Sequence, residues 1–105
     1  MIEITIKKNN LGICNGFLVK GHAGYDEYGK DIICASVSVI VINTINSIET
    51  FTDDYFTVNS DEKSGTIEFD MISNISKEST LLLNSLILAL EGIEEQYGNQ
   101  YIKIC

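Results

Sequence analysis

Covalent chemistry in this chain can come from few side chains: one histidine and three cysteines. The histidine, His22, and one cysteine, Cys34, share the stretch GHAGYDEYGKDIICASVS, from Gly21 to Ser38. A thiol attacks as its thiolate, and its pKa falls from about 8.5 beside an imidazolium or at a helix N-terminus, in a partly exposed setting. All three conditions are within reach of Cys34. The segment Tyr25 to Lys30 mixes glycines, tyrosines and acids without apolar periodicity, so it reads as a mobile loop joining His22 to Cys34. From Ile32 to Ile48 there is no glycine or proline, a length that suits a helix of about four to five turns. Asp31 precedes it as a good N-cap. Cys34 then falls in the first turn, where unpaired backbone N–H groups stabilise a thiolate or hold an oxyanion. A plainer reading stands beside this one. Free cysteines are among the most buried residues, and one Cys with one His is an unspecific sign of a nucleophile.

The elements that must position these residues can be read in order. Met1 to Lys7 alternates, with Ile2, Ile4 and Ile6 against Glu3, Thr5 and Lys7, the period of a half-buried strand. After the turn residues Lys8 to Gly12, Ile13 to Lys20 forms a second strand, predicting a hairpin that leaves His22 at a strand end. Cys14, inside that strand, reads as a small structural hydrophobe. The run Ile33 to Ile48 is rich in β-branched residues that favour strands, but its length and the small Ala35, Ser36 and Ser38 favour a buried helix. On a helix Ser38 shares a face with Cys34. Its hydroxyl then reaches the thiolate or a substrate carbonyl, or bonds to its own helix backbone. Tyr55 to Asn59 and Thr66 to Met71 predict a second hairpin, with Asp61, Glu62 and Lys63 in a solvated turn that takes no part in chemistry. Ser76 caps a second helix from Lys77 to Tyr97, which Gly98 ends. There Leu81, Ile87 and Leu88 widen the apolar face, implying deep burial or a subunit contact. Gln100 to Ile104 closes as a strand, and Cys105 reads as a frayed free thiol. The expected order is ββαββαβ, an α+β fold with two helices packed on one face of a mixed sheet.

At 105 residues, residues 1–105 are expected to form one domain with one core. Three cysteines without a CxxC unit imply a reducing, cytoplasmic setting and no metal motif. MIEITIKKNN lacks the pattern of a signal peptide. Asn84 and Ser85 interrupt LLLNSLILAL, so no membrane span is expected. With 15 acidic against 7 basic residues and a net charge of −8, direct nucleic-acid binding is disfavoured and a basic partner suited.

Gly21-His22-Ala23, Gly29, Asp31, Cys34-Ala35 and Ser38 together resemble the signature of the bacterial ribosomal-processing cysteine proteases, with no departure at these positions. The resemblance covers the chain and weakens after Glu49. It implies a catalytic pair of Cys34 and His22, with Gly21, Tyr25, Gly29, Ala35 and Ser38 contacting substrate or supporting the site. It also implies a homodimer, no cofactor, and a substrate that is the N-terminal extension of a large-subunit ribosomal protein whose start reaches the peptidyl-transferase centre. In such a reaction Cys34 attacks the carbonyl, His22 takes and returns the proton, and water releases the acyl-enzyme. Asp31 either orients His22 or serves only as the cap. Asp26 and Glu27 are alternative partners for His22 or contacts for a basic peptide. Backbone N–H groups near Cys34 and Ala35 are the expected oxyanion hole, and the loop from Tyr25 to Lys30 the expected lid. Two rivals remain: a ribosome-associated module that binds the same peptide without cutting it, and a metal site built from His22, Asp26, Asp31 and Cys34.

Overall fold

The computed structural model describes residues 1–27 and 31–105. Its elements are β1 (Ile2–Lys8), β2 (Cys14–Lys20), α1 (Ile32–Phe51), β3 (Phe56–Asp61), β4 (Thr66–Met71), α2 (Lys77–Tyr97) and β5 (Ile102–Ile104). The order ββαββαβ is the expected one. The strands form one mixed sheet in the order β3-β4-β2-β1-β5. All neighbours are antiparallel except β5, which runs parallel to β1.

Alternation decides which side of the sheet is covered. Ile4 faces Val19 and Ile6 faces Phe17 across β1 and β2, while Phe17 and Val19 face Phe69 and Ile67 across β2 and β4. These rows form one apolar surface, knit by the stacked rings of Phe17 and Phe69, 5.1 Å apart, and by Phe56 against Phe69 at 5.0 Å. Each such aromatic pair is worth roughly 0.5–1.5 kcal/mol beyond its buried area. The intervening residues turn outward, and there Lys7 on β1 bridges to Glu68 (2.8 Å) and Asp70 (2.9 Å) on β4.

α1 forms despite its β-branched residues because its periodicity is helical. Ile33, Val37, Val41, Thr44 and Ile48 are its buried positions, spaced by three or four residues, and the apolar ones join the core with Leu83, Leu86 and Leu90 of α2. Burial of that stripe outweighs intrinsic propensity, which spans less than about 1 kcal/mol per residue. The helix runs three residues past the expected end, to Phe51, and closes where the Thr52 N–H and hydroxyl both donate to the Ile48 carbonyl. One expectation needs correcting. By length and composition α1, rather than the interrupted run of α2, is apolar enough to cross a membrane, with a mean hydropathy of 1.7. In this fold its apolar stripe lies in the core.

α2 starts at Ser76, whose hydroxyl accepts from the Ser79 N–H. Asp54, from the segment after α1, completes this start. Its Oδ2 accepts from the Ser76 N–H (3.0 Å), the Ser76 hydroxyl (2.6 Å) and the buried Ser79 hydroxyl (2.6 Å). The two serine hydroxyls and the Ser76 N–H hold the Asp54 carboxyl below its ordinary pKa.

Candidate active site

The site begins where β2 ends. Gly21 takes φ +92°, and a Cβ there would stand 2.5 Å from the Met1 carbonyl oxygen, so only glycine turns the chain here. The turn leaves His22 exposed and Ala23 buried. Asp31 then fixes both the start of α1 and the preceding loop. Its Oδ1 accepts from the N–H groups of Ile33 and Cys34, both at 3.0 Å, and its Oδ2 accepts from those of Tyr25 (2.9 Å) and Asp26 (3.5 Å). Burial pushes the Asp31 carboxyl up, but these backbone donors outweigh it and hold it below the ordinary carboxylate value. Of the two roles open to Asp31, its described hydrogen bonds are those of a cap.

That cap alters the expected electrostatics of Cys34. The N–H of Cys34 donates to Asp31 Oδ1 and the N–H of Ala35 to the Asp31 carbonyl oxygen. The donors expected to form the oxyanion hole are therefore already engaged. A carboxylate, in addition, stands at the helix N-terminus. The Cys34 thiol is half-buried and accepts one backbone hydrogen bond, from the Ala23 N–H at 3.2 Å. Burial pushes the thiol pKa up, the Ala23 N–H opposes this, and the Asp31 charge adds to the rise. The expected lowering of the thiol pKa is thus reversed in the free protein. A helix N-terminus favours a thiolate only when its field is not already answered by a capping carboxylate.

Cys34 and His22 open onto one cleft of about 410 Å³. It lies between α1, through Val37, Ser38, Val41 and Ile42, and the covered side of the sheet, through Ile2, Val19 and Ile67. The turn between β3 and β4 supplies the remaining wall, with Asp61 and Glu62 as its acidic rim. His22 Nε2 stands 3.3 Å from the Lys63 carbonyl oxygen, and the Gly21 N–H donates to the Ser64 carbonyl at 3.2 Å. The turn set aside as solvated and inert is therefore part of the site. Nothing in its local composition signals this, because the contact joins residues some forty positions apart in the sequence.

The other expected site residues fall as follows. Ser38 lines the cleft on the Cys34 face of α1, while the neighbouring Ser36 hydroxyl bonds back to the helix, donating to the Ile32 carbonyl. Ala35 is exposed on the first turn. Tyr25 packs edge-on against Tyr97 (5.9 Å) and Tyr101 (5.1 Å), so the near end of the expected lid is anchored to the end of α2. Gly29, with the part of that loop from Tyr28 to Lys30, lies outside the described residues. Cys14 is a buried thiol bonded to the Gly16 carbonyl, and Cys105 is an exposed one. Among the described residues no group of three or more His, Cys, Asp or Glu gathers as a metal site.

A thiol and an imidazole on one peptide-sized cleft can be compared with proteins of known activity. The family model described as cysteine protease Prp matches residues 1–103. This chain belongs to the cysteine protease Prp family. It is 31% identical over 104 residues to the ribosomal processing cysteine protease Prp of Staphylococcus aureus, covering 99% of this chain and 97% of that one. The Prp of Bacillus subtilis is 28% identical over 101 residues, covering 92% and 90%. Among solved structures, the S. aureus Prp with a covalently linked product peptide superposes with a TM-score of 0.93 at 31% identity, covering 99% and 97% of the two chains. The same protein with a substrate peptide gives 0.88 at 30% identity, covering 100% and 98%. As a Prp family member the chain is a cysteine protease with the mixed α+β fold of those structures.

Proposed function

We propose that this protease removes the N-terminal extension of a bacterial large-subunit ribosomal protein, the one whose start reaches the peptidyl-transferase centre. Cys34 is the nucleophile and His22 the general base. The observation that carries the reading is that both side chains line one cleft, apolar at its base and acidic at its rim, in a chain similar to a protease solved with a covalently linked product peptide. An apolar base suits the aromatic residues that precede the cut in such substrates, and the acidic rim suits a basic ribosomal peptide.

Burial holds the resting thiol above its ordinary pKa, so in this mechanism proton transfer accompanies attack. His22 takes the Cys34 proton as Sγ bonds to the scissile carbonyl carbon. The C–N bond then breaks and the leaving amine departs with the proton from His22. Water, deprotonated by His22, opens the thioester and restores the thiol. The Ala23 N–H, already directed at Sγ, steadies the sulfur while it carries charge. Asp31 acts through the first turn of α1. Gly21 and Ala35 support the backbone on either side of the pair, and Ser38 and Tyr25 meet the substrate at the cleft and at the loop. Gly29 belongs to the same loop.

The wider expectations are part of the proposal: residues 1–105 work as one protease domain, as a homodimer, in the cytoplasm, on a protein substrate and without contacting nucleic acid directly. The exposed Leu81 and Leu88 of α2 support the dimer, and the net charge of −8 supports the last point. The test is a peptide spanning the extension junction, incubated with the protein under reducing conditions and weighed. Two fragments with wild type, none with Cys34→Ala, and a rate reduced about a hundredfold or more by His22→Ala support the proposal. An intact junction peptide with active wild-type enzyme overturns the substrate assignment, and full activity of His22→Ala overturns the base.

A further inference from the structure

We infer that the turn between β3 and β4 is the positioning element for His22, with the Lys63 carbonyl in the place that a carboxylate holds in a catalytic triad. The inference rests on the proposed role of His22 as base and adds what orients it. Three contacts from one turn meet two consecutive residues. The His22 Nε2 lies 3.3 Å from the Lys63 carbonyl oxygen, and the Gly21 N–H donates to the Ser64 carbonyl at 3.2 Å. The backbone of Gly65 lies so close that a Cβ on it would meet the Gly21 carbonyl oxygen at 2.6 Å and His22 Cε1 at 3.1 Å. Gly65 also takes φ +67°, a conformation that only glycine adopts readily. The turn is thus shaped to bring bare backbone against the imidazole.

The chemistry of the contact follows from its atoms. A carbonyl oxygen only accepts, so Nε2 must carry the hydrogen in this arrangement. The lone pair of the neutral ring is then on Nδ1, the nitrogen at which this tautomer takes up a proton when His22 acts as the proposed base. When the ring becomes imidazolium, the Nε2–H bond to Lys63 strengthens because its donor is charged. The carbonyl does this without a negative charge. A second carboxylate beside a thiol already raised in pKa by burial and by the Asp31 charge would further oppose thiolate formation.

His22 is the only histidine in the chain, so ¹⁵N-histidine labelling gives one imidazole to read by NMR. The neutral ring of wild type is expected in the Nε2–H form. Gly65→Ala should lose that tautomer preference and lower kcat by about 10- to 100-fold, since small misplacements at a reacting centre cost that much, with KM little changed. Gly12→Ala is the control: Gly12 also has positive φ, +77°, with nothing within 4 Å of an added Cβ. It should lose stability yet keep both the tautomer and kcat. If Gly65→Ala does not fold, replacing the Ser64 amide by an ester, which weakens the Lys63 carbonyl as an acceptor, should shift the His22 tautomer equilibrium and lower kcat in the same direction. An Nδ1–H form in wild type overturns the inference, as does wild-type kcat in a folded Gly65→Ala or in the ester. Those outcomes differ from failure of the base assignment, which is full activity of His22→Ala whatever the tautomer.

Discussion

The Asp31 carboxylate accepts four backbone N–H groups, two from the start of α1 and two from the loop before it, and this decides how a prediction about it runs. As a triad acid, Asp31→Asn would lower kcat about 10⁴-fold while leaving the thiol unchanged. As a cap whose charge raises the Cys34 pKa, the same change should lower the thiol pKa. Iodoacetamide labelling of Cys34, followed against pH, should then show its midpoint above about 8.5 in wild type and lower in Asp31→Asn. Stability should fall by about 0.5–2 kcal/mol, as for a weakened cap. A kcat loss near 10⁴ with an unmoved midpoint would restore the triad role. At this scale the capping aspartate was legible in the sequence, named from its type and its place just before the apolar run. The sign of the thiol shift was not, because it depends on which N–H groups the aspartate occupies.

Elements were legible where periodicity was strong, as in α2 and β4, whose ends match the expected ones, and less so at strand ends such as β5, which begins at Ile102 rather than Gln100. What periodicity does not carry is contact between distant segments. Asp54 reads as an ordinary loop acid, yet it ties the start of α2 to the end of α1 through Ser76 and Ser79. Ser79→Ala removes one charge-assisted bond and should cost about 1.5–3 kcal/mol in chemical denaturation. Both Asp31 and Asp54 have folded pKa values below the ordinary 3.8. The stability they add is therefore complete above about pH 5 and is lost as the pH falls through those lowered values. Denaturation followed down to pH 2 should show that loss in wild type and less of it in Asp54→Asn. Equal acid sensitivity of the two proteins would contradict the account of this junction.

At the scale of the molecule, the two helices cover one side of the sheet, and α2 leaves Leu81 and Leu88 exposed at 70% and 71%. The sequence showed an apolar face wider than one stripe, but which of its residues are buried needed the packed core, where Leu83, Leu86 and Leu90 take the buried positions. If that outer face joins two chains, Leu81→Glu with Leu88→Glu should convert a dimer to a monomer in sedimentation velocity with the far-ultraviolet circular dichroism kept. A wild type that is monomeric at micromolar concentration would remove the dimer from the proposal. The strand end and the helix start bring His22 and Cys34 to one cleft, and the hairpin turn sets the Lys63 carbonyl against His22. In the proposed mechanism Cys34, and neither of the other two cysteines, carries the acyl group. Reaction with a junction peptide activated as its ester, rapid acid quench and mass mapping of the labelled protein test this directly. The account predicts one acyl adduct, on the fragment containing Cys34 and absent from Cys34→Ala; turnover with the adduct on Cys14 or Cys105, or undiminished cleavage by Cys34→Ala, would contradict it.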